Sequence, residues 1–213
     1  RIVYDLELLV QPADLPSAIE ALGMGGFSII HDHRDESLHD VVVLGRPTDV
    51  GAIDLHQNPP GPRGAMNLDQ LHARSLSTTF RGLPARISTA EDQILLLAAH
   101  DQFQDGHFWR GGFNFRHLLD IARLSSAPNP VEWNALLAMC RSPTARMAMV
   151  AQLTAARSLV AAQIPPQLPG SVWGKAHYWR QRAQFTWPLI NRPFNKGGIN
   201  RNVWRCISAG RLG

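Results

Sequence analysis

Along Tyr4-Asp5-Leu6-Glu7-Leu8-Leu9-Val10, apolar residues surround two acids set at alternate positions. Side chains of a strand alternate between its faces, so this pattern predicts a strand with Asp5 and Glu7 on one side. Tyr4, Leu6, Leu8 and Val10 then make the opposite, buried face. Gln11-Pro12-Ala13-Asp14 reads as a turn with Asp14 as helix N-cap. Leu15, Ile19 and Leu22 recur at helical spacing, predicting a helix over 15–22 that the glycines at 23, 25 and 26 stop. Residues 27–30, 39–44 and 50–56 are three further apolar runs that read as strands, separated by the polar loop 31–36 and the turn 45–48. The hairpin-like spacing of the last two favours a mixed or antiparallel sheet over a doubly wound one. A Pro/Gly-rich loop over 57–64, a short helix over 68–76 and an extended connection over 80–87 complete this half.

From Ser88 the apolar period lengthens. Ser88-Thr89-Ala90-Glu91 has the form of a capping box, and Ile94, Leu95, Leu97 and Ala98 carry a helix through His100. A second helix covers 114–124 with Phe115, Leu118, Leu119, Ile121 and Ala122 in its stripe. Pro130 and Glu132 open a third that runs to Met139, and a fourth covers 144–162 before Pro165-Pro166. The expected fold class is therefore α+β: a small mixed or antiparallel sheet with helices over 1–87, then an all-helical bundle over 88–213.

At 213 residues the chain can bury a substantial core, and its 45% hydrophobic and 18% charged content is that of a globular protein. No apolar run approaches the length of a membrane span and no signal peptide is evident. Cys140 and Cys206 offer neither a disulfide framework nor metal-ligand spacing, so a reducing cytoplasm is expected. Charge is distributed unevenly. All 17 acids lie at or before Glu132, whereas the segment beyond carries 11 basic residues and no acid. The division predicts one region that holds cations and another that faces polyanions.

The candidate chemistry starts with Asp5 and Glu7, whose spacing on a strand lets both carboxylates converge on a divalent metal; the alternative is a strand with one wet face. Asp54, at the end of the fourth strand, is a third carboxylate. His56 is assigned to the strand face opposite Asp54, as a structural residue. His31, His33 and His39 lie in or beside an acidic loop without a complete ligand set, and are expected to be solvated rather than zinc ligands. His100 and Asp120 sit within apolar helices and are candidates to line a substrate cleft; for Asp120 a structural ion pair with Arg116 or Arg123 is the competing expectation. From Ser171 onward, Trp173, Lys175, Tyr178, Trp179, Arg180, Arg182, Phe185 and Trp187 interleave aromatic and cationic side chains. Such a segment can hold single-stranded nucleic acid. The competing expectation is a helix that packs its Trp face on the bundle and leaves Arg outside.

Asp5-Leu6-Glu7-Leu8 resembles the paired-acid strand of the nucleotidyltransferase superfamily that includes DNA polymerase β and the aminoglycoside nucleotidyltransferases. Ile53-Asp54-Leu55-His56 resembles the strand carrying its third carboxylate. Leu95 to His100 and Leu118-Leu119-Asp120-Ile121-Ala122-Arg123 are similar to two helices of an uncharacterised bacterial nucleotidyltransferase family, and the likeness spans residues 1 to about 165. The resemblance implies a metal-dependent nucleotidyltransferase that moves a nucleoside monophosphate from a triphosphate to an unknown acceptor hydroxyl, releasing pyrophosphate. Asp5, Glu7 and Asp54 would be its catalytic and metal residues, with Mg²⁺ or Mn²⁺ as cofactor. The alternative is a non-catalytic module of the same fold, antitoxin-like or nucleic-acid-binding. The superfamily places a Gly-Ser or Gly-Gly turn before the acid strand to cradle the triphosphate. Arg1 opens directly on that strand, so residues 1–213 are expected to bind metal weakly without turning over. Glu7 stands where the closer family more often has Asp.

Overall fold

A computed structural model describes residues 5–34, 41–61, 66–166 and 172–187, with Asp5 described by its backbone alone. Strand β1 (Asp5–Leu9) leads through a 3-10 turn (Pro12–Asp14) into helix α1 (Leu15–Met24). Strands β2 (Ser28–Asp32), β3 (Val41–Gly45) and β4 (Ala52–His56) complete a four-stranded sheet of order β1-β4-β3-β2. The β2–β3 and β3–β4 pairs are antiparallel and β1 runs parallel to β4, so the sheet is mixed. Period-two alternation holds on β3 and β4: Val42, Leu44, Ile53 and Leu55 face the core, where Leu15, Ile19 and Leu22 of α1 cover them. Each fully buried aliphatic side chain there contributes about 1.5–3 kcal/mol.

Two expectations for this region need correction. Leu6 and Leu8 lie at the register positions of Ile53 and Leu55, yet remain 51% and 37% exposed. Strand β1 is the sheet edge, and of its predicted apolar face only Val10 packs against the α1 core; Tyr4 lies outside the described residues. His56 shares the face of Asp54 rather than opposing it. Two residues apart on one strand means one face, and β4 alternates half-buried Ala52, Asp54 and His56 with buried Ile53 and Leu55.

The chain divides into two compact units. One comprises Arg1–Pro59 and Met66–Gln70; the other comprises Pro60–Ala65 and Leu71–Gly213. Helix α2 (Leu68–Arg74) is followed by strands β5 (Leu76–Phe80) and β6 (Leu83–Ile87). The stretch expected to be an extended connection is thus an antiparallel hairpin. Arg81 and Gly82 both have positive φ (50° and 80°), the conformation that a two-residue turn needs to match strand twist. By its contacts this hairpin groups with the helices.

Helix α3 (Ala90–Ala99) is capped by Thr89, whose hydroxyl accepts from the Asp92 N–H, so the cap falls one residue later than the Ser88 box predicts. Asp92 is fully buried and takes a bidentate pair from Arg74, at 2.6 and 3.0 Å. A π-helical turn (His100–Gln104), the short α4 (His107–Arg110), α5 (Phe115–Ser125), α6 (Trp133–Met139) and α7 (Pro143–Val160) follow. Helix α8 (Val172–Thr186) packs on α7, and Gly174 makes this possible: a Cβ there would meet Val150 at 2.5 Å. The fold is α+β, a small mixed sheet with helices followed by a helical bundle. No described helix is long and apolar enough to cross a membrane.

Helix α8 reverses the expected packing of the tail. Trp173, Trp179 and Phe185 are 75%, 59% and 54% exposed, whereas His177, Tyr178, Gln181 and Gln184 are buried. Polar groups can line this interface because they find partners. Gln181 donates to Gln102 and to the His107 carbonyl, and Gln102 donates to Gln152, at 2.6–2.9 Å. This buried chain of amides joins the π-turn, α7 and α8.

Candidate functional site

Parallel pairing of β1 with β4 sets Glu7 opposite Asp54 and Asp5 opposite Ala52. Register partners share a face, so Glu7 and Asp54 belong to the sheet surface opposite α1, and Asp5 stands two positions before Glu7 on the same strand. Neighbouring strands lie about 4.8 Å apart, within which two carboxylates can address one cation. Glu7 is exposed and Asp54 half-buried, as groups that must meet a dissolved ligand need to be. On the same face lie His56, Leu9 and Val43. The donor set is made only of carboxylate oxygens, which suits magnesium or manganese.

At the other end of this sheet, His31 belongs to β2 and stacks on His33 at 5.6 Å between ring centroids. Both Asp32 oxygens receive Arg34, and these hydrogen bonds hold the exposed Asp32 carboxyl down at about 2. His39 lies outside the described residues.

His100 and Asp120 both belong to the helical unit. His100 opens the π-turn, with Nδ1 3.5 Å from Asp105 Oδ2, and its ring meets that of His117 edge-on at 5.1 Å. Asp120 lies half-buried on α5, one turn beyond His117. Around His100 the structure gathers residues that pattern reading passed over. Asp101 is fully buried, and its Oδ1 accepts from His107 Nδ1 at 2.5 Å and from the Asn114 N–H at 2.9 Å. Asn114 also donates through Nδ2 to Asp105 at 3.4 Å. For Asp105, burial raises the pKa, but hydrogen bonding to His100 and its charge, with help from Asn114 and His107, leave it below the usual carboxylate range.

Local winding explains this convergence. A π-turn adds one residue to the helical ring and displaces the side chains that follow. Gly106 then adopts a left-handed conformation (φ 73°) that returns His107 toward Asp101. The signal available in the sequence was the density of His and Asp over 100–107 between two apolar stretches. Farther along, burial and the charge of Arg180 lower the pKa of His177 to about 4. Arg180 itself donates to the carbonyls of Phe108 and Trp109. Burial raises the Cys140 thiol to about 11, which makes it an inert core group.

Neither the curated proteins nor the solved structures contain a match to this chain. A family model does match, over residues 1–161, taking in both the acid face of the sheet and the polar cluster around His100. By that match the chain belongs to the uncharacterised nucleotidyltransferase family.

Proposed function

We propose that the protein is a metal-dependent nucleotidyltransferase of the DNA polymerase β-like superfamily, acting through Asp5, Glu7 and Asp54. The observation that carries this reading is the register of β1 on β4, which sets Glu7 against Asp54 in a member of a nucleotidyltransferase family. Asp5, Glu7 and Asp54 would hold magnesium or manganese, which when bound neutralises the triphosphate and stabilises the charge that develops on transfer. Asp54 is suited to accept the proton of the acceptor hydroxyl as that oxygen attacks the α-phosphorus. The new bond joins the acceptor oxygen to phosphorus, the α–β bridge breaks, and pyrophosphate leaves with the bond electrons. Rigid strands keep the carboxylates in place, so their arrangement costs little ordering when substrate binds.

The test is transfer of label from α-labelled nucleoside triphosphates by the protein joined upstream to a glycine-containing phosphate turn, with RNA, protein and small-molecule acceptors supplied in parallel. Magnesium-dependent labelling that Asp54→Asn abolishes supports the assignment; labelling that survives in Asp54→Asn refutes the role of that residue.

A second reading concerns the acceptor. Exposed Trp173, Trp179 and Phe185 stand on α8 with Lys175 and Arg182, and the Arg182 guanidinium lies 5.2 Å from the Trp179 ring. Exposed aromatic rings interleaved with cations favour a single-stranded nucleic acid as acceptor or partner. A flat salt dependence of RNA binding, or equal binding by Trp179→Ala, would contradict this.

A further inference from the structure

We propose that His100, Asp105 and His117 form a second metal site, for zinc or a similar transition-metal ion, within the helical unit. This inference does not rest on the reading of the sheet acids. One ligand atom from each of the three residues lies within 4.8 Å of the other two. His100 Nδ1 lies 3.5 Å from Asp105 Oδ2. A tetrahedral site with metal–ligand distances of about 2.0–2.1 Å has edges of about 3.4 Å, so this edge is already at coordination length. Small rotations about side-chain torsions would bring His117 to the same sphere.

The donor types specify the ion. Two imidazoles with one carboxylate suit zinc, cobalt, nickel or iron, whereas magnesium prefers oxygen and retains its waters. His100 and Asp105 each keep 30% side-chain exposure, although His100 Nδ1 itself is buried. Three protein ligands leave a tetrahedral ion one position for water or another ligand, as in catalytic rather than purely structural zinc sites.

The surroundings provide the support that such ligands need. Asn114 caps α5 three residues before His117 and donates to Asp105, so it couples the carboxylate to the helix that carries the second imidazole. Asp101, Asp105 and His107 form an overlapping trio that shares Asp105. There Asp101 Oδ1 and His107 Nδ1 already satisfy each other, so this pair serves as a brace. Asp101 is fully buried, and its Oδ2 has no hydrogen-bond partner among the described residues. A buried carboxylate oxygen without a donor is costly, and nearby cationic charge offsets that cost.

The test is a cobalt(II) titration of the full chain after chelator treatment, followed by displacement with zinc(II). The expected result is a visible d–d spectrum that saturates near one equivalent, is erased by zinc and is unaffected by excess magnesium. His117→Ala should abolish the spectrum while far-ultraviolet circular dichroism stays native, and Asp105→Asn should weaken binding in the same way. Asn114→Ala removes a supporting hydrogen bond and should weaken the affinity by about 10–100-fold. His33→Ala, which alters the other unit, should bind cobalt as the parent does. Absence of a saturable spectrum in the parent protein overturns the proposal. So does a spectrum that persists in both His117→Ala and Asp105→Asn, or one lost in His33→Ala.

Discussion

On the sheet, Glu7 and Asp54 stand opposite each other because two parallel strands run in register, each presenting alternate residues to one face. In the helical unit, His100, Asp101, Asp105 and His107 meet because the chain leaves α-helical winding, through a π-turn and a left-handed glycine. The first arrangement uses regular geometry and leaves its acids in contact with solvent. The second uses irregular geometry, buries Asp101 completely, and supports it with an imidazole and a backbone N–H. Carboxylates of the first kind can be removed with little effect on folding, whereas those of the second kind are part of the packing. Substitution should therefore separate activity from stability in opposite directions in the two units.

The largest expected effect tests that separation directly. With a glycine-containing phosphate turn supplied upstream, Asp54→Asn should lower nucleotidyl transfer by about 10²–10⁴-fold, the usual contribution of a positioned general base. Its urea midpoint should stay within about 0.5 kcal/mol of the parent, as for substitutions outside packed regions. Asp101→Ala should instead destabilise by about 1–3 kcal/mol, because it leaves the Asn114 N–H and the His107 ring without their acceptor. Comparable loss of stability in both variants would break the comparison.

Packing between α7 and α8 gives a further test within the helical unit. Gly174→Ala places a methyl group 2.5 Å from Val150 Cγ1, which demands movement of a branched core side chain. The expected cost is about 1–3 kcal/mol in urea unfolding. The double variant Gly174→Ala with Val150→Ala should recover part of it.

A smaller effect depends on pH. His177 is neutral in the folded protein to about pH 4, since burial and Arg180 disfavour its charged form. In the unfolded chain it takes up a proton below about 6.5. Between these values the unfolded state binds more protons, so stability rises with pH through this window and falls as pH drops from 6.5 toward 4. His177→Gln should flatten that part of the stability profile measured by thermal unfolding.

Period-two alternation made the acid strand and β4 legible, and the antiparallel β3–β4 pair within a mixed sheet followed from spacing. It also misled on Leu6 and Leu8, because alternation assigns a face without saying whether that strand is central or at an edge. The same period sets His56, two residues after Asp54, on the face of Asp54 rather than opposite it. Helical stripes revealed α3, α5 and α7, since each presents a sufficient run of apolar residues to the core. The cluster around His100 was not legible as a site: a π-turn has no distinct hydrophobic period, and its partners Asn114 and His117 come from a helix beyond an irregular loop. The tail misled for a related reason. Trp is ordinarily the better core residue, but the amides of Gln181, Gln102 and Gln152 hydrogen-bond in series, and α8 buries Gln while its Trp side chains face outward.

The most direct test of the central claim is manganese(II) binding, read by electron paramagnetic resonance in the presence of a non-hydrolysable triphosphate. The account predicts manganese–nucleotide binding that Glu7→Gln and Asp54→Asn each weaken by about 10-fold or more, and that His117→Ala leaves intact. Equal binding by the parent and Asp54→Asn would contradict it, by showing that the carboxylates aligned by β1 and β4 do not hold the nucleotide's metal.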